Sequence, residues 1–487
     1  MRKRMIFFVL VFAVLLVALP MTVSAQSGVF EDVSGSDYFA TAVQWAVSWG
    51  VTNGTSETTF SPELTCTRGQ VVTFLWRAHG EPEPMTADNP FADVPKGSYY
   101  DRATLWAVEQ GITTGTSENP KLFSPEQPCT KAEILTFIWR AKGSQAPAFP
   151  SLLTSQWPDD LYYKDAVTWA DNNAMLEDEG EVFDPVRLCT RGHAVAWLWR
   201  EAQVYASDAG SLIKAIGPGH EIHLAPGVYN LTEWVKEAGA AGEFGKVESD
   251  LELAAILGKG VDLSPYVKLV RVNDGYEILI HDVRNLSICA GASFTPGTVE
   301  IVVEPRYANV LTFENCDRIF LSDMIVGHTP EQGYCTGGVL CFRDCGRIAL
   351  SGMDLYGCGT YGIVAERVNS IQTVDSEIRD CSYGILELRQ VQDAGFGDVS
   401  FHDCTGFDML NLRESSASFQ SCEFKNNTWD QGWCHFLAMD SYSSVTFRSC
   451  TFDRASHFDL TDERLAESNI LIESPTVVDL GSVMDII

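Results

Sequence analysis

A basic residue stands at the same point of three near-copies of one twelve-residue stretch. The copies are CTRGQVVTFLWR from Cys66, CTKAEILTFIWR from Cys129 and CTRGHAVAWLWR from Cys189, which contain Arg68, Lys131 and Arg191. On the first turn of a helix, a cationic side chain beside free backbone N–H groups suits a carboxylate or a phosphate. Lys131 supplies the charge without the planar guanidinium fork. These residues are therefore predicted to bind an anionic ligand.

An aspartate precedes each of these stretches at a fixed place in a short motif. The aspartates are Asp32, Asp93 and Asp159, each the third residue of a motif that begins with Phe or Trp. Their carboxylates could accept hydrogen bonds from sugar hydroxyls. Alternatively, they cap a helix or form a turn, which are common structural roles of aspartate. The sequence leaves both roles open.

A second group of residues that could do chemistry lies in the C-terminal half. Asp354 and Glu377 are 23 residues apart, the spacing at which a short pattern recurs there, and Arg379 follows two residues later. Two carboxylates on neighbouring rungs would suit acid/base chemistry or Ca²⁺ ligation. Arg379 is a candidate base. The alternative is a sheet face on which neighbouring strands carry complementary charges.

In the N-terminal half, helices are predicted to position these basic residues and aspartates. Units starting at Phe30, Phe91 and Trp157 each contain two segments with helical apolar spacing, joined by a loop rich in Gly, Thr and Pro. Thr67 with Gln70 and Thr130 with Glu133 form capping boxes, which predict where the second helices start. Thr190 has a histidine in place of the second box residue. The cysteine of each unit is predicted to fill a small buried site in its own unit.

These units resemble S-layer homology (SLH) domains. The resemblance rests on the F-x-D-V start, the GTS loop and the T-R start of the second helix, and it covers residues 30–202. It implies three repeats, at 26–80, 81–143 and 144–203, that form one anchor. Such an anchor binds secondary cell-wall polysaccharide without a covalent bond, often through a pyruvylated sugar. The third unit departs from the pattern because acidic residues replace its GTS loop.

The C-terminal half repeats with a different period. GMDLYGCG, DSEIRDCS, DVSFHDCT and SCEFKNNT follow one another at 23-residue steps from Gly352, and SCTF at Ser449 is expected to close the stack. Short alternating strands with Gly- or Asp-containing bends predict a parallel β-solenoid. Cys358, Cys381 and Cys404 are predicted to stack at one corner. The loop GHTPEQGYCTGG, with His328, Glu331 and Tyr334, either binds a ligand or covers the core.

The inward side chains of this solenoid follow from the alternation along each short strand. Two residues per strand are predicted to point into the core, and these are Met353 and Leu355, Ser376 and Ile378, Val399 and Phe401, and Cys422 and Phe424.

The segment SDAGSLIKAIGPGHEIHLAPGVYNLTE resembles the opening cap of right-handed parallel β-helix proteins. The fold class is therefore predicted to be multidomain: an α-helical SLH triple repeat followed by an all-β right-handed parallel β-helix at 204–470, with a tail at 471–487. Some β-helix proteins are polysaccharide lyases that use an arginine base, which would suit Arg379.

The N-terminus and the charge limit the compartment and the partners. Residues 1–25 have a basic start, an apolar core and small residues at the end, which predicts a cleaved signal peptide; an uncleaved membrane anchor is the alternative. A formal charge of −31 disfavours nucleic acid as a partner. The protein is therefore expected to be secreted to the cell wall or S-layer surface, with no membrane association after signal cleavage.

The expected function is that of an anchored surface protein whose β-helix binds polysaccharide. Cleavage by a lyase or hydrolase at Asp354, Glu377 and Arg379, with Ca²⁺ on the two carboxylates, is left open. The alternative is a structural or adhesive spike without catalysis. An extracellular polysaccharide would be the substrate in the first case, and the sequence does not identify it.

Overall fold

The computed structural model describes residues 30–176, 183–240, 261–291, 297–329, 337–357, 359–430, 432–453 and 469–478. The predicted signal peptide lies outside these residues, as do Cys358, Glu331 and Tyr334. Within the described ranges, none of the helices has the length and apolar character needed to cross a bilayer.

Three helix pairs occupy residues 30–202. Their helices are α1 Ala40–Ser48, α2 Arg68–Ala78, α3 Asp101–Glu109, α4 Lys131–Ala141, α5 Lys164–Asn172 and α6 Arg191–Ala202, and the second unit also holds the hairpin β1 Ser117–Glu118 and β2 Lys121–Leu122. The capping boxes of Thr67 and Thr130 are both formed, so α2 and α4 start as predicted. At α6, Thr190 accepts a hydrogen bond from the His193 backbone without a complete box.

The three units meet through a ring of backbone hydrogen bonds. The Cys66 N–H donates to the Cys189 carbonyl, Cys129 donates to Cys66, and Cys189 donates to Cys129, each at 2.9 Å. All three side chains are fully buried, which confirms the predicted packing site. Burial also raises the pKa of the Cys66 thiol to about 12. The ring gives the three units an approximate threefold arrangement.

The strands of the C-terminal part follow in chain order. The first elements are β3 Gln203–Ala206, α7 Ala209–Ala215, β4 Glu221–Leu224, β5 Gly227–Asn230, α8 Leu231–Ala240, β6 Val261–Ser264, β7 Val267–Val272, β8 Gly275–His281, β9 Arg284–Ala290 and β10 Val299–Val303. Next come β11 Leu311–Glu314, β12 Asp317–Ser322, β13 Ile325–His328, β14 Leu340–Arg343, β15 Arg347–Ser351, β16 Asp354–Tyr356, β17 Tyr361–Glu366, β18 Ser370–Val374, β19 Glu377–Arg379 and β20 Gly384–Arg389. The last are β21 Asp393–Gly397, β22 Ser400–His402, β23 Thr405–Gly406, β24 Leu410–Arg413, β25 Ser416–Gln420, β26 Glu423–Lys425, β27 Thr428–Trp429, β28 Leu437–Met439, β29 Ser444–Arg448, β30 Thr451–Asp453, β31 Ile470–Glu473 and β32 Thr476–Val478.

These strands wind into a β-solenoid with three long sheets. The first sheet runs from β3 through β9 to β31, the second from β5 through β10 to β32, and the third from β6 through β8 to β28. The pairing is parallel except between β6, β7 and β8. Glu377 pairs with Asp354 on one side and with Ser400 on the other, which confirms the 23-residue rung.

The solenoid continues beyond the end predicted for it. Strand β30, which begins at the third residue of the SCTF segment, pairs with β32, and β29 pairs with β31. The expectation that SCTF closes the stack is therefore wrong. Strand β32 and most of β31 also lie beyond residue 470, inside the segment interpreted as a tail. The strand alternation is weak there, and so the sequence did not indicate another coil.

Cysteines recur at the bends between strands of the solenoid. Asp380 and Asp403 adopt left-handed backbone conformations, with φ of 56° each, and the cysteine that follows each of them turns inward. The Cys381 thiol donates to the carbonyl of Arg379 and the Cys404 thiol to that of His402, at 3.5 and 3.4 Å. The thiol thus gives the carbonyl at the end of the strand a further donor, and the His402 carbonyl also accepts the Asp380 N–H at 3.4 Å. This confirms the predicted corner for Cys381 and Cys404.

The core assigned from alternation is confirmed. The eight side chains predicted to point inward are all buried, from Met353 to Phe424. Toward the end of the solenoid, phenylalanines stack coil on coil. Phe419 lies between Phe396 and Phe447, with 4.9 Å between ring centroids on both sides.

The helical part and the solenoid join without a linker. Helix α6 ends at Ala202 and β3 begins at Gln203, so the boundary predicted at residue 203 falls within a strand. Side chains of the solenoid also bond to helix ends. The Arg318 guanidinium donates to the Trp49 carbonyl at 2.7 Å, and the Asn285 amide donates to the Arg77 carbonyl at 3.0 Å.

Four titratable side chains meet at this junction. Lys142 Nζ lies 2.5 Å from Glu201 Oε1 and 3.3 Å from His220 Nε2. Burial, aided by the Lys142 charge, lowers the pKa of His79 and of His220 to about 4 each. Burial also lowers the pKa of Lys142 to about 8. Both histidines are therefore neutral at pH 7 while the junction is formed.

Candidate functional site

The starts of α2, α4 and α6 do not offer free backbone donors. The N–H groups of Arg68 and Gly69 donate to the carbonyls of Gln127 and Pro125 in the next unit, at 2.9 and 2.8 Å. The first two N–H groups of α4 and α6 are bonded in the same way, to Arg187 and Pro185 and to Leu64 and Pro62. The prediction of free N–H groups beside Arg68, Lys131 and Arg191 is therefore wrong. The following unit supplies their carbonyl partners, and these bonds join the units.

Arg68 is buried between two units. Its exposed fraction is 4%, and its Nε donates to the Phe123 carbonyl at 2.9 Å. The guanidinium lies over the rings of Phe123 and Phe137, 5.1 Å from each centroid, and 3.5 Å from a Glu133 carboxylate oxygen. Cation–π contacts and a carboxylate thus stabilise its charge. The arrangement is that of a clamp between units.

Arg191 has the same surroundings except for the carboxylate. Its Nε donates to the Phe60 carbonyl at 3.0 Å, and its guanidinium lies over the rings of Phe60 and Phe74. It is 3% exposed, and its Nη2 is buried with no hydrogen-bond partner among the described residues. Burial lowers the pKa of Arg191. Lys131 is equally buried, with Nζ 6.0 Å from the centre of the Phe183 ring.

The three aspartates of the aromatic motif divide into two roles. Asp32 accepts the N–H groups of Phe60 and Ser61, at 2.8 and 2.7 Å. Asp93 makes the equivalent pair of bonds in the second unit. Both carboxylates therefore hold the loop before the second helix, which favours the turn-forming role. Asp159 has an exposed side chain and pairs with Lys164 at 2.6 Å.

Sequence reasoning missed one exposed tyrosine in each unit. The tyrosines are Tyr38, Tyr99 and Tyr162, which are 41%, 54% and 57% exposed. Each stands edge-on to the aromatic ring that follows it in the chain. The signal in the sequence was a pair of aromatic residues just before the first helix of every unit.

These tyrosines lie beside the second-helix starts of neighbouring units. The Tyr38 hydroxyl is 2.6 Å from His193 Nδ1, at the start of α6. Tyr99 lies beside Thr67, and Tyr162 beside Glu133. Two of these sites also hold a buried arginine from another unit, because Tyr162 lies near Arg68 and Tyr99 lies near Arg191. We call the one formed by Tyr99, Thr67 and the Arg191 guanidinium the third groove.

The clamp at Arg68 gives a testable expectation for stability. Arg68→Ala removes a charged hydrogen bond and exposes two ring faces, so we expect the free energy of unfolding to fall by about 2 kcal/mol. Arg68→Met keeps the apolar stem and should cost less. Chemical denaturation followed by circular dichroism measures both values. Arg102→Ala, at a half-exposed arginine of α3, is the control. Unchanged stability of Arg68→Ala would contradict the clamp.

The outer row of the solenoid has the predicted register. Asp354 pairs with Glu377 and Tyr356 pairs with Arg379 across β16 and β19. Arg379 donates to both oxygens of Asp354, at 2.9 and 3.0 Å, and to Asp380 at 2.8 Å. His402 Nε2 lies 2.7 Å from a Glu377 oxygen.

These contacts do not favour the predicted catalytic role. Partial burial would lower the pKa of Arg379, but the hydrogen bonds to Asp354 and Asp380 outweigh it and raise this pKa. A guanidinium with a raised pKa is a poorer base. Both Asp354 oxygens already bind Arg379, and the described residues contain no group of three His, Cys, Asp or Glu side chains that could hold a metal ion. The row has the geometry of a salt-bridged sheet face, which was the alternative for Asp354, Glu377 and Arg379.

Comparison with known proteins bears on both halves. The family model described as S-layer homology domain matches residues 29–72 and 90–135. The one described as right handed beta helix region matches residues 337–482. The chain carries S-layer homology domains and a right-handed β-helix. The first match contains α1 and the start of α2, and the second contains α3 and the start of α4. These domains indicate anchoring at the cell surface.

A curated relative agrees with this location. It is a "Cell surface protein" of Thermoanaerobacter kivui, 27% identical over 145 residues, which are 29% of this chain. The match spans about a fifth, 19%, of that protein's length.

Proposed function

We propose that the S-layer homology domains, together with the third helix pair as a diverged copy, bind secondary cell-wall polysaccharide without a covalent bond. The third pair has the same two helices, the same buried cysteine and the same docking onto the next unit. Its residues therefore complete the ring of three. The polysaccharide partner comes from the family resemblance, and the grooves supply the candidate contacts.

The observation that carries this proposal is the unsatisfied Arg191 in the third groove. An arginine Nη2 that is buried without an acceptor is costly, and a carboxylate on a sugar would provide one. Tyr99 is 54% exposed and lies near Arg191, where it offers an aromatic ring and a hydroxyl. Arg68 differs because Glu133 already neutralises it. The third groove is therefore the best candidate for the anionic group, with Lys131 and Arg68 in supporting roles.

Binding to purified cell walls tests the third groove. Arg191→Met keeps the stem packing and removes the charged donors, so we expect the full chain to bind walls about ten-fold more weakly or worse, as loss of a charged hydrogen bond implies. Tyr99→Phe should weaken binding by a smaller factor. Walls stripped of their secondary polysaccharide should retain neither variant nor the native chain.

Arg102→Met serves as the control, since its side chain is half-exposed and lies outside the third groove. Circular dichroism establishes that each variant is folded. Undiminished wall binding by folded Arg191→Met would refute the role of this groove. Equal binding to stripped walls would refute the polysaccharide as partner.

We also propose that the β-helix presents a polysaccharide-binding surface rather than a lyase site. The salt bridges of Arg379 support this choice, because they pair the proposed base with Asp354 and with one oxygen of Glu377. The spike function remains the competing proposal for this domain.

A further inference from the structure

One corner of the β-helix carries exposed aromatic side chains in successive coils. Phe407 is 44% exposed and Trp433 is 88% exposed, while Tyr383 is half-buried. The rings of Tyr383 and Phe407 lie 4.7 Å apart. Exposed aromatic groups on neighbouring coils mark a binding surface more often than a scattered apolar residue does. We call these three residues the aromatic corner.

Backbone hydrogen bonds fix the order of the aromatic corner along the solenoid. Phe407 N–H donates to the Tyr383 carbonyl at 3.1 Å. In the next coil, Asp430 N–H donates to the Gly406 carbonyl at 3.2 Å, and the loop after Asp430 carries Trp433. One aromatic side chain therefore appears per coil, and neighbouring strands are spaced by about 4.8 Å. A ligand that contacts all three must be extended along the solenoid axis.

Polar side chains of the third sheet lie next to this corner. The Tyr361 ring covers Gly384, where a Cβ atom would come within 2.5 Å of the ring. Its hydroxyl is hydrogen-bonded to Asn411, and burial raises the pKa of Tyr361 to about 12, so the hydroxyl keeps its proton. Tyr361 and Asn411 thus place hydroxyl and amide groups beside the aromatic rings. Sugars present both C–H faces and hydroxyls, and this surface matches both.

The carboxylates of this surface are already bonded. Asp408 accepts the His435 N–H at 2.9 Å, and Asp430 accepts the Gly432 N–H at 3.1 Å. Glu387 pairs with Arg389 at 2.6 Å. The acidic groups would repel a polyanion. The charge pattern therefore favours a neutral polysaccharide over an acidic one.

We propose that the aromatic corner, with Tyr361 and Asn411, binds a neutral polysaccharide whose chain runs along the solenoid axis. Sugar C–H faces pack against Phe407 and Trp433, and sugar hydroxyls bond to Tyr361 and Asn411. This inference deepens the proposed binding role of the β-helix and assigns it to a surface distant in sequence from the anchor grooves.

Affinity electrophoresis of the full chain in gels that contain soluble β-glucan, galactomannan or xylan tests the proposal. We expect retardation by at least one of the three, with at least ten-fold weaker affinity for Phe407→Ala/Trp433→Ala. Trp433→Ala alone should weaken binding by a smaller factor and avoids any folding defect, since its side chain is almost fully exposed. Tyr442→Ala is the matched control, because Tyr442 is 83% exposed at another corner and should change affinity less than two-fold.

Three outcomes would overturn the proposal: no retardation of the native chain by any of the three polysaccharides, equal retardation of the double variant, or preferential binding of polygalacturonate. Wall binding separates this result from the anchor hypothesis. Phe407→Ala/Trp433→Ala should still bind purified walls, whereas Arg191→Met should still be retarded by the neutral polysaccharide. If the neutral polysaccharides fail to bind, the anchor hypothesis still stands. If Arg191→Met binds walls normally, the proposal for the aromatic corner still stands.

Discussion

Replacing Phe419 by alanine is expected to lower the free energy of unfolding of the β-helix by about 3–5 kcal/mol. Phe419 is 1% exposed and stacks between Phe396 and Phe447 of the neighbouring coils. It also contacts Phe424 of the adjoining sheet edge-on. The backbone ladders on both sides hold the coils in place, so the cavity cannot close by collapse. The substitution therefore loses both buried area and ring contacts.

Hydrogen exchange measures this effect coil by coil, which matters because a solenoid need not unfold in one step. Protection should fall most in strands β21, β25 and β29. Ser418→Ala changes the neighbouring, exposed side chain of the same strand and should leave protection unchanged. A loss below about 1 kcal/mol in Phe419→Ala would contradict the assigned packing.

Acidification from pH 7 to pH 4 is expected to weaken the junction between the helical part and the β-helix. The pKa of both His79 and His220 is about 4 with the junction formed, against an ordinary value of 6.5. Proton binding thus favours the separated state. Docking is at full strength above pH 6.5 and weakens as the pH falls toward 4, by about 2–3 kcal/mol per histidine. Lys142 adds no change in this window, because it is protonated in both states below pH 8.

Exchange protection of β3 and β4 at pH 7 and pH 4.5 checks this expectation. The double variant His79→Gln/His220→Gln removes both titrating groups and should show a much smaller loss of protection on acidification. Arg318 and Asn285, which bond the helix ends, do not titrate in this range and provide the residual docking. If the double variant loses protection as strongly as the native chain, other groups cause the acid sensitivity.

Local signals in the sequence predicted the helices of the helical part, but they did not predict that its basic side chains are buried. The capping boxes of Thr67 and Thr130 involve residues three apart, and both are formed. The partner of Arg68 is 55 residues away and that of Arg191 is 131 residues away. A motif at one helix start does not show which distant loop will cover it. This is why the sequence did not show that both arginines are buried between units.

In the solenoid, the sequence predicted the features that recur in every coil but missed those that do not recur. The 23-residue period predicted the inward residues and the row of Asp354, Glu377 and Arg379. Cross-strand pairing of opposite charges was one of the two interpretations of this row, and the bonds from Arg379 to Asp354 favour it. The period alone did not decide between the two interpretations, because it does not give the direction of the side chains. The aromatic corner was also missed. Trp433 lies in a loop that interrupts the repeat, where alternation gives no information.

The direct passage from Ala202 to Gln203 has a mechanical consequence. A flexible tether would let the solenoid swivel, whereas a helix that runs straight into a paired strand transmits torque. A force on a polymer bound far along the β-helix would therefore produce a torque on the helical part where it is attached to the wall. Attachment at more than one groove would resist this torque, whereas the protein could rotate about a single attachment point.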